Sequence, residues 1–87
     1  MGDPSLVFSD HAERQLQERE LSREIVIQTV RKPDGVVEGR AGRKIAQRVV
    51  HQGGVDWLFR VVYVEERGKL VIVTMYRTTK ISKYLKR

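Results

Sequence analysis

Trp57-Leu58-Phe59-Arg60-Val61-Val62-Tyr63-Val64-Glu65, then Glu66-Arg67-Gly68-Lys69, then Leu70-Val71-Ile72-Val73-Thr74-Met75-Tyr76 decides the fold. Both arms are rich in β-branched and aromatic residues, which fit a pleated, half-buried surface. Glu66-Arg67-Gly68 suits a three-residue hairpin loop with Gly68 in the left-handed region. Glu65 then faces Lys69, and the pairs continue 63 with 71, 61 with 73 and 59 with 75. One face carries Trp57, Phe59, Val61, Tyr63, Val71, Val73 and Met75 as a core. The other carries Leu58, Arg60, Val62, Val64, Leu70, Ile72, Thr74 and Tyr76, with Arg60 opposite Thr74 and Tyr76 opposite Leu58. A two-residue loop would shift the register by one and exchange the faces.

Upstream, Lys44 to His51 alternates. Ile45, Gln47, Val49 and His51 lie on one side, and Ala46, Arg48 and Val50 on the other. Gln52-Gly53-Gly54 turns this strand into the hairpin, and Val36-Val37-Glu38 adds a short strand with an exposed edge. Before Gly35 the period changes to helical. Ser9 caps a polar helix over about 9–20 with a thin edge of Ala12, Gln15 and Leu16. Ser22 caps a second, with Leu21 and Val26 at hydrophobic-staple positions and a stripe of Ile25, Val26, Thr29 and Val30. Pro33 stops that helix near Lys32. At the other end, Ile81, Tyr84 and Leu85 predict a short terminal helix. The expectation is an α+β domain over 8–87, after a flexible leader at 1–7. Two helices cover one face of a roughly four-stranded antiparallel meander.

The 87 residues fit a single domain. No apolar run approaches the ~20 residues of a membrane span. The absence of cysteine excludes disulfides and thiolate chemistry, and it points to the cytoplasm. The spacing of His, Asp and Glu suggests neither a metal nor a cofactor site. Charge is asymmetric: residues 1–35 hold five basic and seven acidic groups (5 − 7 = −2), and residues 36–87 hold the other twelve and four (12 − 4 = +8). Such a basic half suits a polyanion, because neutralising phosphates releases counterions.

Arg60 sits mid-strand, where it either clamps a phosphate or snorkels over its apolar neighbours. Tyr76 either contacts a nucleotide or edges the core. Histidine titrates near neutrality, so His11 is the early side chain suited to proton transfer; its alternative is an idle surface position. His51 reads as structural. Two acid-free basic stretches, one with Arg40, Arg43, Lys44 and Arg48 and one with Arg77, Lys80, Lys83, Lys86 and Arg87 around Tyr84, offer phosphate contacts or are simply solvated.

Phe8-Ser9-Asp10-His11-Ala12-Glu13-Arg14, with Glu18-Arg19-Glu20-Leu21-Ser22, is similar to an uncharacterised prokaryotic family, Domain of Unknown Function number four-two-five-eight. Glu20 stands where that family usually has glycine, and Leu21 where it has isoleucine. Arg60-Val61-Val62-Tyr63 and Val71-Ile72-Val73-Thr74-Met75-Tyr76 look like the same family. A second resemblance links Ile72 to Lys80, with Tyr84, to the BrnT-like and RelE-like ribonuclease toxins. These are small, basic α+β enzymes that work without metal. It implies a RelE-like fold, with Arg77 or Lys80 as phosphate ligands and Tyr84 near the site.

The leading expectation is a toxin-like, metal-independent endoribonuclease acting on RNA through 2′-hydroxyl attack. Its catalytic candidates are His11, Arg60, Tyr76 and Lys80, and its nucleic-acid contacts are Arg43, Lys44, Arg48, Arg77, Lys83 and Tyr84. The rivals are a non-catalytic nucleic-acid-binding module and a domain that binds an acidic antitoxin-like protein. Membrane ranks last, because no segment pairs a basic face with a broad apolar one.

Overall fold

The computed structural model describes residues 4–85. It is an α+β fold with a five-stranded mixed sheet and three helices. Strand β1 (Ser5–Phe8) leads into helices α1 (Asp10–Glu18) and α2 (Arg23–Arg31). Strands β2 (Gly35–Glu38), β3 (Lys44–Gln52), β4 (Val55–Glu66) and β5 (Lys69–Thr78) follow, then the four-residue helix α3 (Ile81–Tyr84). The spatial order is β1-β5-β4-β3-β2, with β2 to β5 an antiparallel meander and β1 parallel to β5.

The helix boundaries follow their caps. The Ser9 hydroxyl accepts from the Ala12 amide and the Ser22 hydroxyl from the Ile25 amide, so each helix starts where a short polar side chain satisfies an orphan donor. Helix α2 ends at Arg31, two residues before Pro33. Ala12 and Leu16 of α1 and Val26 and Val30 of α2 pack with Ala46, Phe59, Val61, Ile72 and Met75 of the sheet, and Leu21 joins them.

Three expectations are corrected. The leader expected over 1–7 overlaps β1: Ser5–Phe8 pairs with Lys69–Ile72, which makes the sheet five-stranded and mixed. The β4–β5 loop has two residues, since Glu66 pairs with Lys69 and both Arg67 (φ 51°) and Gly68 (φ 76°) are left-handed, as a tight hairpin turn requires. That register inverts the start of β5. Ile72 is fully buried in the helix-side core, opposite Tyr63, and Val71 faces the other way, opposite Val64. A bulge then absorbs Val73, because Tyr63 pairs with Ile72 but Val62 pairs with Thr74. Beyond it the alternation is restored, with Met75 inside and Tyr76 outside. Arg60 therefore faces Tyr76 rather than Thr74, and Leu58 faces Thr78.

The bulge lies where β1 ends, and α1 takes over the exposed edge of β5. Ser9 Oγ donates to the Val73 carbonyl at 3.3 Å. Buried Gln15 accepts from the Met75 amide at 3.3 Å and from the Thr74 hydroxyl, and Arg19 donates to the Met75 carbonyl at 2.9 Å. Backbone groups that a sixth strand would otherwise satisfy are thus closed by side chains.

The far face of the sheet has only the tail for cover. Leu85 is buried there, and a Cβ on Gly35 would come within 2.9 Å of Leu85 Cδ1, so a side chain at this crossing would have to displace the leucine tip. The Gln47 amide donates to the Tyr84 carbonyl at 3.3 Å, tying the tail to β3. Lys86 and Arg87, at the end of the expected helix, lie outside the described residues.

Candidate functional site

Register places Gly35, Gln47, Arg60 and Tyr76 side by side across β2, β3, β4 and β5 on the tail-covered face. The Arg60 Nε donates to Gln47 Oε1 at 2.7 Å, and an Arg60 terminal nitrogen donates to the Tyr76 hydroxyl. The guanidinium carbon lies 4.1 Å from the Tyr84 ring centre and 5.6 Å from that of Tyr76, within cation–π range of both. Lys83 Nζ lies 5.3 Å from the other contact, the Tyr84 ring. Half-buried Arg60 is thus held in one orientation by an amide, a phenol and two rings.

Every one of those partners is neutral. The ion pair among the described residues is Arg23–Glu13, His51 is hydrogen-bonded to Asp56, and neither contact touches Arg60. A guanidinium has five N–H donors, and Gln47 and Tyr76 occupy two, so three have no acceptor among the described residues. Partial burial of a charge without a counter-charge is unfavourable unless an anion completes the site. The Tyr76 hydroxyl accepts from Arg60 and keeps its own proton free to donate.

The remaining cations do not gather on this face. Arg48 is opposite Phe59 on the helix side, where it donates to the Lys32 carbonyl at 2.9 Å and fastens the α2–β2 turn. Arg77 is also opposite Phe59, stacked 4.1 Å from the Trp57 ring centre and donating to Gln52 at 3.2 Å. Arg43 lies in the β2–β3 turn and Lys44 starts β3, both exposed. Lys80 is exposed just before α3. His11 is exposed on the first turn of α1, and no hydrogen bond joins it to the Arg60 group. It lies one turn before Gln15, on the side of α1 that meets Thr74 at the β5 edge. Gln15, rather than His11, makes the hydrogen bonds from α1 to β5. Among the described residues no three His, Asp or Glu side chains gather as a metal set.

Gln47 is the functional residue that sequence reasoning missed. It is 1% exposed yet polar, and it sets the Arg60 orientation. Its signal was present: an amide between Ile45 and Val49 on a stripe otherwise apolar up to His51.

A two-helix layer on a mixed sheet, with an orphan guanidinium between aromatic rings on the far side, defines a small α+β domain with a candidate anion site at Arg60. The chain belongs to the family described as Domain of unknown function (DUF4258), whose match spans residues 8–77. That span holds α1, α2, the β2–β5 meander up to Arg77, Gln47, Arg60 and Tyr76, and it stops before Tyr84. No curated protein and no solved structure matches the chain. Among the described residues no helix is long and apolar enough to cross a membrane.

Proposed function

We infer that the protein binds the phosphodiester backbone of single-stranded RNA at Arg60, with Tyr76 and Tyr84 beside the phosphate. The observation that carries this reading is the oriented, half-buried guanidinium with three open donors and no carboxylate. A phosphate supplies the missing charge, and two of its oxygens can accept in parallel from the planar guanidinium. The rings offer base-stacking surfaces, and the +6 charge strengthens the approach of any polyanion. A labelled single-stranded RNA, titrated across a salt series, tests it. Arg60→Ala weakens binding by about 10- to 100-fold, the size of a lost charge-assisted contact. Equal affinity in wild type and Arg60→Ala overturns the reading.

A second reading adds cleavage, and the free Tyr76 proton favours it, with His11 as the general base that the sequence offers. The likeness of Ile72 to Lys80 to RelE-like and BrnT-like toxins supports it from sequence. In that reaction the 2′-hydroxyl oxygen attacks phosphorus and gives up its proton to His11. The bond to the 5′ oxygen breaks, that oxygen takes a proton from Tyr76, and a 2′,3′-cyclic phosphate remains. Arg60 stabilises the extra charge on the phosphoryl oxygens, with Lys80 as a further candidate cation. RNA incubated with protein and EDTA is cut in this reading, and a 2′-deoxy substitution at the scissile position blocks the cut. Arg60→Ala then slows cleavage by about 10²–10³. Uncut RNA removes the enzyme and leaves the binding module.

A further inference from the structure

The tail covers only half of the far face. Toward the β2–β3 and β4–β5 turns the register sets Val37, Ile45 and Val62 in one row and Val64, Val71 and Val7 in the next. Val7 is 40% exposed and Val37 38%, the other four are half-buried, and no described helix packs over them. Antiparallel strands facing water normally carry polar side chains there. A contiguous aliphatic surface in that position marks an interaction site.

The rim identifies the occupant. Arg40 and Arg43 lie in the β2–β3 turn, Arg67 and Lys69 lie at the β4–β5 turn, and Arg60 closes the opposite side. At this end of the face the acid is Glu66, directly opposite Lys69, while Asp56 lies at the other end of β4 beside His51. A second copy would set these cations against their own kind, at +6 per chain. Nucleic acid gains little from six aliphatic side chains, which offer no stacking surface. We propose that this face docks an acidic partner protein, through a segment that sets aliphatic anchors on the valines and carboxylates on the surrounding cations. The inference shares Arg60 with the RNA reading but does not rest on it, since Gln47, Tyr76 and Tyr84 take no part and the valine rows lie toward the opposite turns.

The probe is an amphipathic peptide with leucines on one face and glutamates on the other, compared with its lysine-for-glutamate counterpart. The glutamate peptide shifts the amides of Val37, Ile45, Val62 and Val64, and the lysine peptide does not. The pair Val62→Gln and Val64→Gln weakens binding about tenfold, a loss of roughly 1.4 kcal/mol. The pair Arg43→Glu and Lys69→Glu, on exposed sites, moves the preference to the lysine peptide even if the first pair fails to fold. Shifts confined to Arg60, Tyr76 and Tyr84 overturn the proposal, since they report anion binding alone. So do equal binding of the two peptides, self-association in place of peptide binding, and an absence of shifts.

Discussion

The two faces of this sheet are built by different means. The helix side buries Phe59, Val61, Ala46, Ile72 and Met75 under nine-residue helices whose own apolar stripes complete the layer. The far side buries Leu58 and Gln47 under one turn of helix and Leu85, and leaves its other half open. The first arrangement removes apolar area from water on two surfaces at once, which is where folding free energy comes from. The second covers too little for that, yet it orients a guanidinium among neutral partners. Stability and ligand binding thus sit on opposite sides of one sheet, and an orphan charge that would weaken the helix-side core is tolerated under the tail.

The sharpest way to break this contrast is Phe59→Ala. Truncating a fully buried phenylalanine costs about 3–5 kcal/mol, much of the total for a domain this small. The expected result in a urea titration is loss of most of the folded baseline. Leu85→Ala is expected to cost about 2 kcal/mol, at the low end for leucine truncation, since one of its walls is a single short turn. Amide exchange separates the two variants. Leu85→Ala accelerates residues 81–85 and leaves the centres of β4 and β5 protected; uniform acceleration would mean that the two faces form one cooperative unit.

Glu20→Gly sharpens the comparison from the helix side. Glu20 follows the α1 C-cap at φ 51°, where a side chain is disfavoured and glycine is not. The substitution adds about 1 kcal/mol and raises Tm by roughly 4–8 °C in a domain of this size. The smallest effect belongs to Arg77→Ala. With its guanidinium on Trp57, away from Arg60, RNA affinity changes by about twofold or less. A loss equal to that of Arg60→Ala would mean that RNA crosses both faces.

Some of this was legible in the residues. Ser9, Ser22 and Pro33 bound the two long helices through local chemistry, and the alternation of β3 put Gln47 and Ala46 on opposite faces. The β4–β5 hairpin misled because Arg67 is a poor advertisement for a left-handed turn that usually takes asparagine or glycine. Nothing in Val71-Ile72-Val73 marks which residue is extruded. The bulge coincides with the end of β1, which runs out at Phe8, opposite Ile72, and that long-range pairing is not written in the local sequence. The strand at Ser5–Phe8 was itself illegible, since four residues carry too little periodicity to stand out from a leader.

Local patterning by itself determined the helix caps, the two-residue period of β3 and β4, and the presence of a charge at position 60 within a β-branched run. These depend on chemistry within a few residues. Which groups meet that charge was decided only in three dimensions. Gln47, Tyr76 and Tyr84 come from separate elements, and they converge because a bulge resets the register and a tail crosses at Gly35. Long-range pairings of that kind leave no trace in any one stretch of sequence.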